Sequence, residues 1–187
     1  MAPRIALSGS AGIGKTTLAR RLAFDLDLPY IPEGMRAYLE RGGADLHALG
    51  RSGLRALVLQ LWDEQREAEA KATSGFVADR SAFDFAAFWI YYGYAADDAE
   101  TSQLFSQTQD PGRYDAVWLL PWGAFPVEAD GVRSSNRWMQ LHVHVLIEGT
   151  PHRANAPLRH VTAEGVDARV AQIRSAIGRA GVCGAIG

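Results

Sequence analysis

The sequence predicts a three-layer α/β/α fold built on a parallel sheet, and three observations predict it. Short apolar runs alternate with segments of helical periodicity. The runs are continuously apolar, as in strands buried on both faces, rather than alternating in polarity. The first run also ends in a glycine-rich turn that opens a helix. The 187 residues are 48% hydrophobic and 21% charged, which is ordinary globular composition. Disordered, collagen-like and coiled-coil readings are excluded. No apolar run approaches the roughly 18 residues that a membrane-spanning helix needs. A chain of this length buries about 70% of its unfolded surface and needs no disulfide or metal staple. It is therefore expected to be a single domain over residues 1–187, with about five strands.

The elements follow in order. Residues 4–8 read as a buried strand, and residues 15–26 as a helix with Leu18, Leu22 and Leu26 on one stripe. Residues 29–32 suit a short second strand, followed by a helix from near Glu33 to Gly42-Gly43. Residues 53–73 carry the longest helical pattern, on Leu54, Leu57, Val58 and Leu61. Gly75 to Asp79 reads as a strand, residues 82–95 as an aromatic-rich helix and residues 98–108 as a weaker helix. Tyr114 to Leu120 is another apolar strand. Residues 121–136 carry Pro, Gly and charges and read as loop or lid. Residues 137–148 fit more than one pattern, with helix preferred. Leu158 to Thr162 and residues 165–180 suggest a last strand and a last helix.

The formal net charge is −2, which gives no generally basic nucleic-acid surface. Lys15 and Lys71 are the only lysines beside 17 arginines. One cysteine, Cys183, permits no intrachain disulfide and no multi-Cys zinc site, so a reducing, cytoplasmic setting is expected. The segment Met1-Ala2-Pro3-Arg4 does not read as the start of a signal peptide.

The sharpest motif is Gly9-Ser10-Ala11-Gly12-Ile13-Gly14-Lys15-Thr16, followed by Thr17. It fits G-x-x-x-x-G-K-[ST] at every fixed position, between a strand and a helix. Its glycines let successive backbone N–H groups turn inward onto phosphate oxygens, and the helix adds its positive end. Lys15 is expected to reach the β- and γ-phosphates of ATP, and the Thr16 hydroxyl to ligate Mg²⁺. Asp79 ends an apolar strand at the edge where this loop lies and is a second candidate for the magnesium. Arg80 beside it is a candidate phosphate contact or a structural ion-pair partner.

A phosphate loop alone does not separate kinases from switches and motors. The sequence has no Asn-Lys-x-Asp guanine-reading run, and the strand ending at Leu120-Pro121 lacks the acidic pair of a motor. Glu33 and Arg36 follow the second strand, where a carboxylate could accept the proton of an attacking hydroxyl and an arginine could hold the acceptor. An i,i+3 ion pair at a helix start is the simpler alternative. Arg133 and Arg137, behind Asp130-Gly131, could close over the transferring phosphoryl group. Phe83, Phe85, Phe88, Trp89, Tyr91, Tyr92 and Tyr94 offer rings for stacking an acceptor, although most suit the core, as does Trp62. His142 and His144 have no evident third metal ligand and read as structural or surface residues.

This order of motifs resembles the P-loop kinase family that includes the ribosylnicotinamide-kinase domain of NAD-biosynthesis regulators, a generic AAA-type domain. More distantly it resembles deoxynucleoside and nucleotide kinases. The matching pieces are Gly9 to Thr17, Glu33-x-x-Arg36, Asp79-Arg80-Ser81, Tyr114 to Trp122 and Asp130-Gly131-x-Arg133. The resemblance implies strand order 2-3-1-4-5, a catalytic carboxylate at Glu33, an acidic-Arg-Ser motif at Asp79-Arg80-Ser81, and a lid over about residues 122–140. It implies an ATP- and Mg²⁺-dependent phosphotransferase acting on a nucleoside-like acceptor, as monomer or homodimer. Polynucleotide kinases share a carboxylate-x-x-Arg after the second strand, so a nucleic-acid hydroxyl stays open as acceptor. A regulatory ATP-binding switch with a protein partner is the alternative outside the kinases.

Overall fold

A computed structural model describes residues 2–42, 48–110, 112–123 and 136–183. Five strands form one parallel sheet in the order β2-β3-β1-β4-β5: β1 (Arg4–Ser8), β2 (Tyr30–Ile31), β3 (Phe76–Asp79), β4 (Ala116–Leu119) and β5 (Leu158–His160). The expected order 2-3-1-4-5 is therefore observed. Register places Leu7 beside Asp79 and Ser8 beside Leu119, so the carboxyl ends of the three central strands converge.

Seven helices cover the sheet among the described residues: α1 (Lys15–Leu26), α2 (Gly34–Glu40), α3 (Gly50–Lys71), α4 (Ala82–Tyr91), α5 (Ala99–Thr108), α6 (Arg137–Arg153) and α7 (Val166–Cys183). Strand side chains alternate between the faces. Ala6, Ala78, Phe76 and Val117 point into a core with Leu57, Leu61, Trp62, Phe83 and Trp89 from α3 and α4. Ile5, Leu7, Val77 and Trp118 point to the other face, against Leu18 and Leu22 of α1 and Val170 and Ile173 of α7. Both faces are thus buried, which is why the strands read as continuous apolar runs.

Phe83, Phe85, Trp89 and Tyr94 belong to the core, as does Trp62. Only Phe88, Tyr91 and Tyr92 of that aromatic segment are partly exposed. Helix α3 begins at Gly50, three residues before its apolar stripe requires, and α4 stops at Tyr91, before the expected residue 95.

Helix α6 resolves the two-way pattern after residue 136. Its buried residues are Gln140, His144, Ile147 and Pro151, a helical spacing, and Ile147 packs with Ala87 of α4 and Leu119 of β4. The Asn136 side chain caps it by accepting from the Trp138 and Met139 amides. Residues 137–140 of the expected lid therefore form the first turn of α6. The rest of that lid lies largely outside the described residues, and with it Arg133.

Candidate functional site

The turn after β1 is held open by backbone that L-residues avoid. Gly9 has φ +129°, and a Cβ there would come within 2.6 Å of Ile13 Cδ1 and 3.2 Å of the Leu120 carbonyl oxygen. Gly14 caps α1 in the left-handed region, at φ 86°, with no side chain bonded to the helix start and no acidic residue in the first turn. The first amides of α1 are therefore left without a side-chain acceptor, beneath the positive end of the helix dipole. A bound phosphate would supply the missing acceptor.

Lys15 lies inside this cradle, buried, with Nζ donating to the Ser10 carbonyl oxygen at 2.6 Å. Burial, together with the positive charge of Arg80, lowers its pKa to about 8, although Glu33, Asp79 and Asp84 pull the other way. Behind it, the Thr16 hydroxyl donates to Asp79 Oδ2 at 2.6 Å, so the two expected magnesium residues are in direct contact. Asp79 Oδ1 is buried and has no hydrogen-bond partner among the described residues. The Tyr30 hydroxyl approaches Asp79 Oδ2 at 3.5 Å; burial and the Asp79 charge push this phenol up to about 12, so it stays protonated.

Across the loop lies a buried charge cluster. Arg80 donates from Nε to Glu33 Oε1 at 2.8 Å, from Nη1 to Asp84 Oδ1 at 3.0 Å and to the Gly9 carbonyl oxygen at 3.1 Å. Its Nη2 also lies 2.8 Å from Glu33 Oε1. Burial opposes its charge, but Glu33 and Asp84 more than compensate and raise its pKa. The guanidinium sits 4.9 Å above the Phe88 ring, which stacks with Tyr92. Arg80 thus bridges the phosphate loop, the carboxylate after β2 and a half-exposed aromatic pair.

Its backbone is strained, with φ 128° at a non-glycine residue. The flanking peptides are fixed from below. Gln65 Nε2 donates to the Arg80 carbonyl oxygen at 3.0 Å, and the Ala82 amide donates to the Tyr114 hydroxyl at 2.8 Å. Tyr114 donates in turn to Glu69 Oε1 at 2.7 Å, and Arg113 Nη1 donates to Glu69 Oε2 at 2.6 Å.

Asp84 is the member of this charge cluster that sequence reasoning missed. It is fully buried and accepts from the Ser8 hydroxyl, the Ser81 amide and hydroxyl, and Arg80. With Ser81 it forms the capping box of α4. The signal Ser81-x-x-Asp84 before an apolar run is visible in the sequence.

Among the described residues, Arg36, Arg137, His142 and His144 form no hydrogen bond or ion pair with Arg80, Glu33 or Asp84. Glu33 and Arg36 form no i,i+3 pair among the described residues; Glu33 turns to Arg80 instead, and Arg36 is half-buried on α2. Arg137 is exposed at the first position of α6, between the rings of Trp122 (5.4 Å) and Trp138 (4.9 Å). His142 meets the Tyr91 ring edge-on at 5.6 Å, and His144 is buried, its pKa lowered by burial with Lys15 contributing. Among the described residues there is no cluster of three or more metal-ligating side chains. Nor is any described helix long and apolar enough to cross a membrane.

The fold and this cradle define a P-loop nucleotide-binding protein with the strand order of the nucleotide kinases. Within that class the chain belongs to the AAA-domain family, whose profile matches residues 4–169. No curated protein matches it significantly. Among solved structures it is similar to the NadR protein in complex with NR, at TM-score 0.64 and 24% identity, covering 88% of this chain and 46% of that one. It thus spans about half the length of NadR. It is also similar to the deoxyadenosine kinase of M. mycoides (TM-score 0.65, 14% identity, covering 94% and 98%). Shikimate kinase from Acinetobacter baumannii gives TM-score 0.58 and 16% identity, covering 95% and 93%. At these identities the likeness is one of fold.

Proposed function

We propose that this chain is an ATP- and Mg²⁺-dependent phosphotransferase that moves the γ-phosphoryl group of ATP to a hydroxyl of a nucleoside- or nucleotide-like acceptor. The observation that carries the reading is the buried Glu33–Arg80 pair, joined through Arg80 Nη1 to the first residue of the phosphate loop, Gly9. A cradle for phosphate and a carboxylate able to take a proton thereby face one site. The fold shared with NadR, deoxyadenosine kinase and shikimate kinase supports the same chemistry.

In this reading the amides of Gly9 to Thr17 and the Lys15 ammonium bind the β- and γ-phosphates. The acceptor hydroxyl attacks the γ-phosphorus and the bond from the bridging oxygen to that phosphorus breaks. ADP leaves and the hydroxyl proton passes to a Glu33 oxygen. Arg80 keeps Glu33 oriented until then. Arg36 orients the acceptor, Arg133 and Arg137 close from the lid side, and Phe88 with Tyr92 offers the acceptor a flat apolar face. Thr16 and Asp79 fit Mg²⁺, because Asp79 Oδ1 is a buried oxygen without a partner among the described residues and hard oxygens suit this ion. When bound, the ion offsets phosphate charge. Replacement Asp79→Asn is expected to raise the Mg²⁺ concentration giving half-maximal ATP binding by about 10-fold or more, read by titration at fixed ATP.

The test is ADP release from ATP with nucleosides, nucleotides, ribosylnicotinamide and hydroxymethylated DNA as acceptors, with Lys15→Ala as control. Release stimulated by one acceptor is the expected result, and a DNA acceptor would place the substrate among nucleic acids. Glu33→Gln should then lower kcat by about 100-fold or more while leaving ATP affinity near wild type. Equal losses in both would make Glu33 structural. A second reading, an ATP-binding switch with a protein partner, is favoured by one feature: α6 exposes Trp138, Met139 and Val145. Slow ADP release that no acceptor accelerates would support it.

A further inference from the structure

The phosphate loop is tied from outside by one arginine of the last helix. Arg169 lies in the first turn of α7 and is 4% exposed. Its Nε donates to the Ala163 carbonyl oxygen at 3.1 Å and its Nη1 to the Ile13 carbonyl oxygen at 3.3 Å. Ala163 belongs to the β5–α7 connection, whereas Ile13 belongs to the phosphate loop. Gln172, one turn further along α7, bonds among the described residues to the connection and to the end of β5. It accepts from the Thr162 and Ala163 amides and donates to the His160 carbonyl oxygen and the Thr162 hydroxyl. Gln172 therefore shapes the connection, and Arg169 joins it to the loop.

Two consequences follow from this geometry. The carbonyl and amide of a trans peptide point in opposite directions. Holding the Ile13 oxygen toward Arg169 therefore turns the Gly14 N–H away from Arg169. The same guanidinium also sets the separation of two walls. An open depression of about 460 Å³ beside the loop is lined by Thr16, Thr17, Arg20 and Arg21 of α1 and by Val166, the first residue of α7. Three of its lining residues thus sit within a few positions of Ile13 or of Arg169 itself.

We propose that Arg169 is a positioning residue for nucleoside triphosphate binding, coupling the phosphate loop to the β5–α7 wall so that triphosphate and nucleoside moiety are held in one register. The assignment rests on the reading of the loop as an ATP site. In this assignment the nucleoside moiety of ATP occupies the depression, so ATP engages loop and wall together, whereas inorganic tripolyphosphate engages the loop alone.

Calorimetric titration of the full chain with each compound tests it, using wild type, Arg169→Gln, Arg169→Lys and Gln172→Ala, with thermal melts of each. Arg169→Gln is expected to weaken ATP by about 10-fold or more, the scale of one lost charge-assisted hydrogen bond, and tripolyphosphate by clearly less. Arg169→Lys, which keeps the charge but not the fork, should fall between. Should Arg169→Gln not fold, Arg169→Lys alone carries the comparison. Unchanged ATP affinity with a lowered melting temperature would make Arg169 merely structural and overturn the assignment. Equal losses for ATP and tripolyphosphate would overturn the coupling. Wild-type protein that fails to bind ATP would instead bring down the phosphate-loop reading and this assignment with it.

Discussion

Replacing Lys15 with methionine is expected to abolish phosphoryl transfer and, at the same time, to make the nucleotide-free protein more stable. The loss of turnover follows from the proposed function: no other described lysine lies in the cradle, and in that reading its ammonium binds the β- and γ-phosphates. The gain in stability follows from burial. Lys15 is buried beside Arg80, and its pKa falls from 10.5 to about 8. The charged form is therefore disfavoured in the folded chain relative to the unfolded one. Below pH 8 both forms carry the proton and the cost is fully present. Between pH 8 and 10.5 the unfolded chain holds more protons than the folded one, so stability rises with pH and the cost fades. That difference corresponds to on the order of 3 kcal/mol at neutral pH, a ceiling because the methionine cannot donate to the Ser10 carbonyl. Thermal melts of both proteins at pH 7 and pH 9.5 check this. The advantage of Lys15→Met should be largest at pH 7 and shrink at pH 9.5. A less stable variant at pH 7 would show that Lys15 is held by its neighbours rather than strained by them. In the expected case, the fold sacrifices stability at this one position, and bound phosphate relieves it.

How much of this was legible before the structure depends on the range of the interactions involved. The phosphate loop was legible because its conformation is demanded locally: positive φ at Gly9, Gly12 and Gly14 leaves a spaced glycine signature. Strands β1, β3 and β4 were legible because burial on both faces removes every polar position from Ile5 to Leu7, from Phe76 to Ala78 and from Ala116 to Leu119. Helix α6 was legible only as a preference over strand, since His142-Val143-His144-Val145 alternates like a strand and two of its four buried positions are polar. The Thr16–Asp79 contact could be anticipated because strand ends and the loop share one sheet edge. The Glu33–Arg80–Asp84 cluster could not be assembled that way. Its members come from the second residue after a two-residue strand, a strained residue after β3 and a buried capping position. Their meeting is set by tertiary packing; the sequence offered an ion pair for Arg80 without naming its partner, and Arg36 as one alternative partner of Glu33.

The second large effect is expected at Arg80, where charge and backbone strain can be separated by two substitutions. Arg80→Ala removes the guanidinium from Glu33 and Asp84 and leaves two buried carboxylates facing one another's field without their cation. Breaking a buried ion pair from one side costs about 3–5 kcal/mol. Both carboxylates lose their contacts to the arginine, while Asp84 keeps its bonds from Ser8 and Ser81, so the missing cation should raise the proton affinity of this pair of carboxylates. Stability of Arg80→Ala relative to the wild type should therefore improve as the pH is lowered from 7 toward 5. Arg80→Gly makes the same electrostatic cut but relieves φ 128°, a conformation glycine adopts freely. It should be more stable than Arg80→Ala by about 1 kcal/mol, against the ordinary rule that glycine is the worse residue. Denaturant unfolding of the three proteins at pH 5 and pH 7 reads both effects. An alanine variant at least as stable as the glycine variant would mean that the backbone relaxes once the side chain is gone. In that case the strain is imposed by the guanidinium reaching for Glu33 and Gly9, rather than by Gln65 and Tyr114 holding the peptides on either side.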